Sequence, residues 1–200
     1  MNLYGASGHA KVIIDIIRSL SLEVDHIIDD DPQVKNFNNL EVTHKLTENI
    51  SNGETIISIG NNEIRKKISE KFAGAIHPAI AHPSAVISPS AKLMQGTVVM
   101  ANAAVNAAAV IGEHCIINTG ATVEHDCKLG NFVHISPNAA LAGDVEVGEG
   151  SHIGIGAVVI QGIKIGKWVT VGAGAVVIND IPDGVVAVGN PAQVIKEKTK

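Results

Sequence analysis

The 200-residue sequence predicts two unlike parts: a small α/β, Rossmann-like unit over residues 1–76, then a triangular prism of short parallel β-strands, a parallel β-helix with a C-terminal tail, over residues 77–200. Three observations predict it. From Val86 to Ile181 the chain divides into sixteen consecutive hexads without insertion or deletion, and the second residue of each is aliphatic, from Ile87, Leu93 and Val99 through to Val171 and Val177. The sixth residue is mostly small, as in Ala91, Ala103, Ala109, Cys115 and Ala121. Upstream of residue 76, short β-prone runs alternate with amphipathic ones, the pattern of a parallel sheet covered by helices.

A period of six fits strands, whose side chains alternate with period two, and does not fit a 3.6-residue helix. A second period lies inside it, because Gly112, Gly130, Gly148 and Gly166 all hold the third position of a hexad and recur every eighteen residues. Three hexads therefore make one coil with three faces, and the repeat makes roughly five coils. Stacked coils bury each other. An interior that accepts one aliphatic and one small side chain per face explains an aromatic content of only 2%.

In the N-terminal part, Asn2 to Tyr4 is β-prone and runs into Gly5-Ala6-Ser7-Gly8-His9. From Ala10 to Leu20, the residues Val12, Ile13, Ile16, Ile17 and Leu20 recur at helical spacing. Val24 to Ile28 reads as a second strand ending on Asp29-Asp30-Asp31-Pro32, and Thr55 to Ile59 as a third ending on Gly60-Asn61-Asn62. Glu63 to Phe72 is a charged helix. Ile76-His77-Pro78 and His82-Pro83 then interrupt the chain, since helices do not run through prolines, and the boundary between the two parts falls near residues 75 to 80.

Ligands of such a sheet bind beyond the carboxyl ends of the strands, where the glycine turn, the Asp run and the Gly-Asn-Asn all fall. Glycine turns let backbone N–H groups approach a phosphate at a helix N-terminus, and Asp29 follows Gly8 at the spacing of a ribose-binding carboxylate. The same residues also read as a tight turn and a solvated loop.

The net charge of −5 implies no general attraction to nucleic acid. No apolar run reaches the roughly 18 residues of a membrane span. The start lacks the basic and apolar regions of a secretory signal, so the expectation is a cytoplasmic protein. Cys115 and Cys127, both at the sixth hexad position, are expected to be buried reduced thiols.

One hexad departs from its column: Thr122-Val123-Glu124-His125-Asp126-Cys127 places Glu, His and Asp consecutively. An imidazole titrates near neutral pH and can remove a proton from an attacking amine or hydroxyl, and a carboxylate beside it would orient the ring and raise its basicity. An exposed corner pair is the alternative reading. Among the other histidines, His26, His44 and His114 are expected in solvent. His134 and His152 form a ladder eighteen apart, and the His77/His82 pair lacks a third ligand, so no metal is expected.

Taken together, Tyr4-Gly5-Ala6-Ser7-Gly8-His9, Asp29-Asp30, the run from Ile59 to Ile68, Ile87 to Ala91, Asn118 to Cys127 and Val188-Gly189-Asn190-Pro191-Ala192 carry a resemblance over essentially the whole chain. It resembles bacterial hexapeptide-repeat nucleotide-sugar acetyltransferases, within a sialic acid O-acetyltransferase-like family, and most of all the UDP-4-amino-sugar N-acetyltransferases of the bacillosamine pathway. The resemblance implies a left-handed β-helix, acetyl-CoA as co-substrate, and a homotrimer with active sites between subunits. It also implies His125 as general base with Asp126 raising its basicity. Ser7, Gly8 and His9 would cradle the sugar-nucleotide phosphates, with Asp29 and Asp30 near the uridine and Gly60 closing the pocket. Acetyl-CoA would lie near His134, Gly143, Ile155 and Ala173. The alternatives are a GDP- or dTDP-linked acceptor, O-acetylation of a sialic acid or other sugar, and, outside this chemistry, a binding-only solenoid or a metal-dependent hydratase.

Overall fold

The computed structural model describes residues 1–45, 47, 50 and 52–197. Its N-terminal sheet holds five strands: β1 (Asn2–Tyr4), β2 (His26–Ile28), β3 (Asn36–Phe37), β4 (Leu40–Thr43) and β5 (Thr55–Ile57), in the order β3-β4-β2-β1-β5. β1 lies between β2 and β5, parallel to both. Leu3, Ile27 and Ile56 are fully buried, as central strands of a covered parallel sheet must be. The antiparallel β3–β4 pair was not expected from the sequence, because its two- and four-residue strands are too short to show an alternation. β2 starts two residues later than its apolar run, and β5 stops at Ile57 rather than Ile59.

Helix α1 (Gly8–Ser19) begins within the glycine turn, two residues before its apolar run. It buries Ile13, Ile14, Ile16 and Ile17, while Val12 and Leu20 of the expected stripe remain exposed. Helix α2 (Asn62–Lys71) is N-capped by Asn61, whose side-chain oxygen accepts from the Ile64 N–H at 3.0 Å. Such caps satisfy a backbone donor that the first turn leaves unpaired.

Downstream, the strands form three parallel faces of a left-handed β-helix. Face 1 runs from Ile80–Ala81 through Ile116–Ile117, His134–Ile135 and His152–Ile153 to Thr170–Val171, and closes with Val185–Val188 and antiparallel Gln193–Glu197. Face 2 runs from Val86–Ile87 through Thr122–Val123 to Val176–Val177, and face 3 from Lys92–Leu93 to Lys164–Ile165. Each strand pairs with the one eighteen residues on, as Ile116 with His134 and His134 with His152. The coils thus begin one hexad earlier than the repeat visible from Val86. Inside, second- and sixth-position residues pack a continuous core in which Ala103, Ala109, Cys115, Ala121 and Cys127 have no exposure.

Two backbone requirements underlie the hexads. Every fifth-position residue from Gly96 to Gly174 has a positive φ, including Ala108, His114, Asp126, Phe132 and Trp168. That left-handed corner favours Gly, Asn and Asp, which hold most of these positions. The glycine column has a different cause: a Cβ on Gly148 would come within 2.6 Å of the Gly166 carbonyl carbon in the next coil.

The three outer faces differ. The N-terminal unit covers the first coils of face 1, where Ile80, Val98, Met100 and Ile116 share one core with Leu3, Ile13, Ile16 and Ile17. Face 3 is charged, with Glu146 between Lys128 at 3.4 Å and Lys164 at 3.7 Å. Face 2 carries Val158, Ile160, Val176 and Ile178 outward in its last coils and mostly small or polar residues before them; Glu124 is its one outward charge.

Candidate active site

His125 and Asp126 form the edge between faces 2 and 3, in the turn that follows Thr122–Val123. Asp126 occupies the left-handed corner at φ 62°, which turns its short side chain back on its neighbour: His125 Nδ1 and Asp126 Oδ2 are 2.8 Å apart. The hydrogen bond to Asp126 raises the His125 pKa above the ordinary imidazole value; desolvation opposes it, and the negative charges of Asp126, Glu124 and Asp144 add to the rise. In the tautomer that donates Nδ1–H to the carboxylate, Nε2 carries the lone pair. The ring lies over Gly143 in the next coil, where a Cβ would come within 2.6 Å of Cε1 and Nε2.

The second set of groups lies at the carboxyl ends of the N-terminal strands. Gly5, at φ 112°, makes the sharp turn after β1, and a Cβ there would strike the Ile59 side chain at 2.4 Å. A Cβ on Gly8, by contrast, would meet nothing within 4 Å. Ser7 is the extended residue before α1, its side chain caps nothing, and the first turn has no acidic residue. The positive end of the helix dipole therefore faces the turn without a protein carboxylate in its first turn. His9 is half-buried, Nε2 has no hydrogen-bond partner among the described residues, and burial together with the nearby Arg65 charge lowers its pKa to about 4.

The Asp run is more than a solvated loop. Asp29 Oδ2 accepts from the Ala6 N–H at 2.7 Å and Oδ1 from the Asp31 N–H at 2.9 Å, tying the glycine turn to the end of β2. Asp30 accepts from the Tyr4 hydroxyl at 2.6 Å.

A cleft of about 380 Å³ joins the two parts, lined by Gly60, Asn62, His134, His152, Trp168 and Thr170 among others. The His134 and His152 rings stack at 4.7 Å and 6°. Asn118 Nδ2 lies 3.0 Å from His134 Nε2, and Ser136 Oγ 2.6 Å from His152 Nε2. Burial, then the His152 and Arg65 charges, hold His134 at about 2, so its ring is neutral throughout the physiological range. The pair is thus a half-buried polar stack rather than a surface ladder.

His114 needs a larger correction. Expected at a solvated corner, it is 3% exposed, stacked on Phe132 at 5.3 Å, and lowered to about 4 by burial and Arg65. The corner is covered by α2. His26 and His44 are exposed, and Cys115 and Cys127 are buried free thiols, burial pushing Cys115 up to about 12. Among the described residues, no cluster of three or more His, Cys, Asp or Glu could hold a metal ion, and no helix is long and apolar enough to cross a membrane.

One chain does not gather all these groups. Gly60 lines the cleft with His134 on the face 1 side, the charge of His9 acts on His134, and Ser7 and Gly8 directly precede His9 at the start of α1. His125, Asp126 and Gly143 share the edge between faces 2 and 3. Ile155 and Ala173 are stacked coil on coil at the edge between faces 1 and 2. Arg65 was missed in the sequence, where it looked like one more charge on a charged helix; it is 1% exposed and lies at the junction of the two parts.

Comparisons with known proteins agree with this architecture. The family described as the PglD N-terminal domain matches residues 1–72, and the bacterial transferase hexapeptide (six repeats) matches residues 108–143. GDP-perosamine N-acetyltransferase from Caulobacter crescentus, solved as a histidine-to-alanine variant with CoA and GDP-perosamine, is 40% identical with a TM-score of 0.92, covering 98% of this chain and 96% of that one. The chain belongs to the hexapeptide-repeat sugar N-acetyltransferases. Another structure similar to this acetyltransferase chain is the acetyltransferase domain of PglB from Neisseria gonorrhoeae FA1090, also solved with acetyl coenzyme A. It is 41% identical with a TM-score of 0.89, covering 97% and 98% of the two chains. A curated relative, the UDP-N-acetylbacillosamine N-acetyltransferase of Bacillus subtilis (strain 168), is 42% identical over 110 residues, a match spanning half of each protein.

Proposed function

We propose that this acetyltransferase transfers the acetyl group of acetyl-CoA to the 4-amino group of a UDP-4-amino-4,6-dideoxy sugar, as in diacetylbacillosamine synthesis, with His125 as general base. The observation that carries the reading is the exposed His125 ring, fixed by Asp126 and laid over Gly143, in a chain of this family. In the proposed division of labour, residues 1–76 hold the nucleotide sugar and residues 77–200 hold acetyl-CoA.

Ser7, Gly8 and His9 suit a diphosphate, because the α1 N-terminus is open above Gly8 and free of carboxylates in its first turn. Asp29, anchored to Ala6, shapes that turn, and Asp30 is the more exposed carboxylate for the nucleoside. Gly60 borders the pocket beside His134.

The site is completed by a homotrimer. Face 2 exposes Val158 by 40%, Ile160 by 38% and Ile178 by 42%, an apolar strip that association would cover. With face 2 of three copies turned to a threefold axis, the His125 edge of each copy meets the edge between faces 1 and 2 of the next. That contact brings His125, Asp126 and Gly143 of one subunit to Ile155, Ala173, His134 and the nucleotide unit of its neighbour. The groups that one chain separates are then gathered in three equivalent clefts.

In the reaction the uncharged amine attacks the thioester carbonyl carbon and forms the C–N bond. His125 Nε2 takes the proton lost by nitrogen, the imidazolium being stabilised by Asp126. The Gly143 N–H, which among the described residues makes no backbone bond to the next coil, would stabilise the developing oxyanion. The C–S bond then breaks and CoA leaves as thiolate. No metal and no covalent enzyme intermediate take part, and the expected setting is the cytoplasm.

A GDP-linked 4-amino sugar is the second reading, favoured by the likeness over nearly the whole chain to the perosamine enzyme solved with its GDP-sugar. A thiol-release assay with acetyl-CoA against UDP-, GDP- and dTDP-linked 4-amino sugars separates the two, with the UDP sugar expected to be fastest. His125→Ala should lower turnover about 10²–10⁴-fold with acetyl-CoA binding kept; turnover near wild type would refute the assignment.

A further inference from the structure

Arg65 uses every N–H of its guanidinium, and among the described residues none of its partners is a carboxylate. Nε donates to the His114 carbonyl at 2.8 Å, and Nη2 to the Phe132 carbonyl at 3.0 Å, one coil further along the prism. Nη1 donates to the carbonyls of Ile59 at 2.9 Å and Gly60 at 3.2 Å, in the turn after β5. Nη2 also donates to Asn62 Oδ1 at 2.9 Å, and Asn62 Nδ2 reaches the prism carbonyls of Gly150 at 3.1 Å and Ser151 at 3.3 Å.

We propose that Arg65 is a positioning residue, which rivets the Gly60 turn of the nucleotide unit to two successive coils of the prism and thereby sets the width of the cleft that Gly60 and His134 line. This rests on the reading of that cleft as part of the nucleotide-sugar site.

The geometry requires this particular side chain. A planar fork with five fixed donors meets five acceptors on three separate segments; a lysine ammonium has three donors around a point and cannot span them. The buried charge, satisfied by carbonyl dipoles alone, also leaves a net positive field in the cleft, and that field adds to burial in keeping His9 and His134 neutral. Lys66, on the same helix, makes a different kind of contact: it pairs with Glu149 at 2.5 Å and lies over the Trp168 ring.

The test compares Arg65→Lys, Asn62→Ala and the control Lys66→Met in the full chain. Two readouts are used: Michaelis constants for each substrate, and amide exchange of the Ile59–Asn62 turn relative to α1. Losing charge-assisted bonds at the turn should raise the nucleotide-sugar KM of Arg65→Lys about 10-fold or more, leave the acetyl-CoA KM within about twofold, and speed exchange of the turn about 10-fold. Asn62→Ala should shift both readouts the same way by less, and Lys66→Met should shift neither. A purely structural Arg65 would lower the melting temperature, with both KM values moved equally or not at all; that result overturns the proposal, as does unchanged exchange in Arg65→Lys. Should Arg65→Lys not fold, an unmoved KM and unmoved exchange in Asn62→Ala overturn it. If the wild-type chain releases no CoA with any nucleotide amino sugar, the functional reading fails, and the exchange readout still decides the role of Arg65.

Discussion

The imidazole of His125 rests on the backbone of Gly143, so close that a methyl group on that glycine would come within 2.6 Å of Cε1 and Nε2. The contact links two successive coils through residues eighteen apart, and the glycine thereby decides where the Nε2 lone pair points. Gly143→Ala should therefore displace the ring without disturbing the buried prism core. Turnover should fall about 10-fold or more, since small misplacements of a catalytic group cost that much, with thermal stability nearly unchanged. A Gly143→Ala enzyme with wild-type turnover would show that the ring position is not required.

Asp126 tunes the same imidazole. Its hydrogen bond is the first cause of the raised His125 pKa, so Asp126→Asn should lower that pKa. A base must be neutral to act, and the acid limb of kcat/KM should accordingly move to lower pH, with a lower plateau because the base is weaker. Asn tolerates the left-handed corner that Asp126 occupies, which separates the electrostatic effect from strain. An acid limb that stays in place would remove Asp126 from the mechanism.

Acid should destabilise the folded chain through a different group of histidines. His9 and His114 are lowered to about 4, by burial first and the Arg65 charge second. The unfolded chain takes up protons on these rings below about pH 6.5, and the folded chain refuses them until about pH 4. Stability present above that window is therefore lost as pH falls through it, by up to about 1.4 kcal/mol per pH unit for each ring. Denaturant unfolding at pH 7 and pH 5 measures the slope. His114→Asn, compatible with φ 52°, should remove one ring's share of it; an unaltered slope would exclude His114 as a source.

Val158 tests the proposed trimer. Val158→Glu places a charge on the apolar strip of face 2, where it would be desolvated between copies. Sedimentation should show dissociation, and activity should fall with it even though Val158 belongs to none of the reacting groups. If the wild-type chain sediments as a trimer and the variant does too, the contact lies elsewhere; an active monomer would refute the shared site.

Much of this protein is legible without coordinates, for a reason peculiar to its architecture. In a prism with three hexads per coil, a residue's number alone states its face, its edge and whether it points inward. His125 could thus be assigned to an edge, the cysteines to the core, and Ile155 and Ala173 to one column. The α/β unit is less regular. Its strands are two to four residues long, and the α1 stripe is legible only at its centre: Ile13, Ile16 and Ile17 are buried as expected, while Val12 and Leu20 are exposed and Ile14 is buried instead.

What no count of residues could supply is the junction between the two parts. His114 and Trp168 hold the same corner position in their coils, yet His114 is 3% exposed because α2 covers its corner, and it loses its charge there. Arg65 finds acceptors 49 and 67 residues away, on coils that reach it only after the prism has wound. Periodicity encodes relations within the repeat, where every coil sees the same neighbours. A guanidinium's partners are carbonyls, which every residue possesses, so nothing in the side-chain sequence marks the ones it will meet until the two units dock.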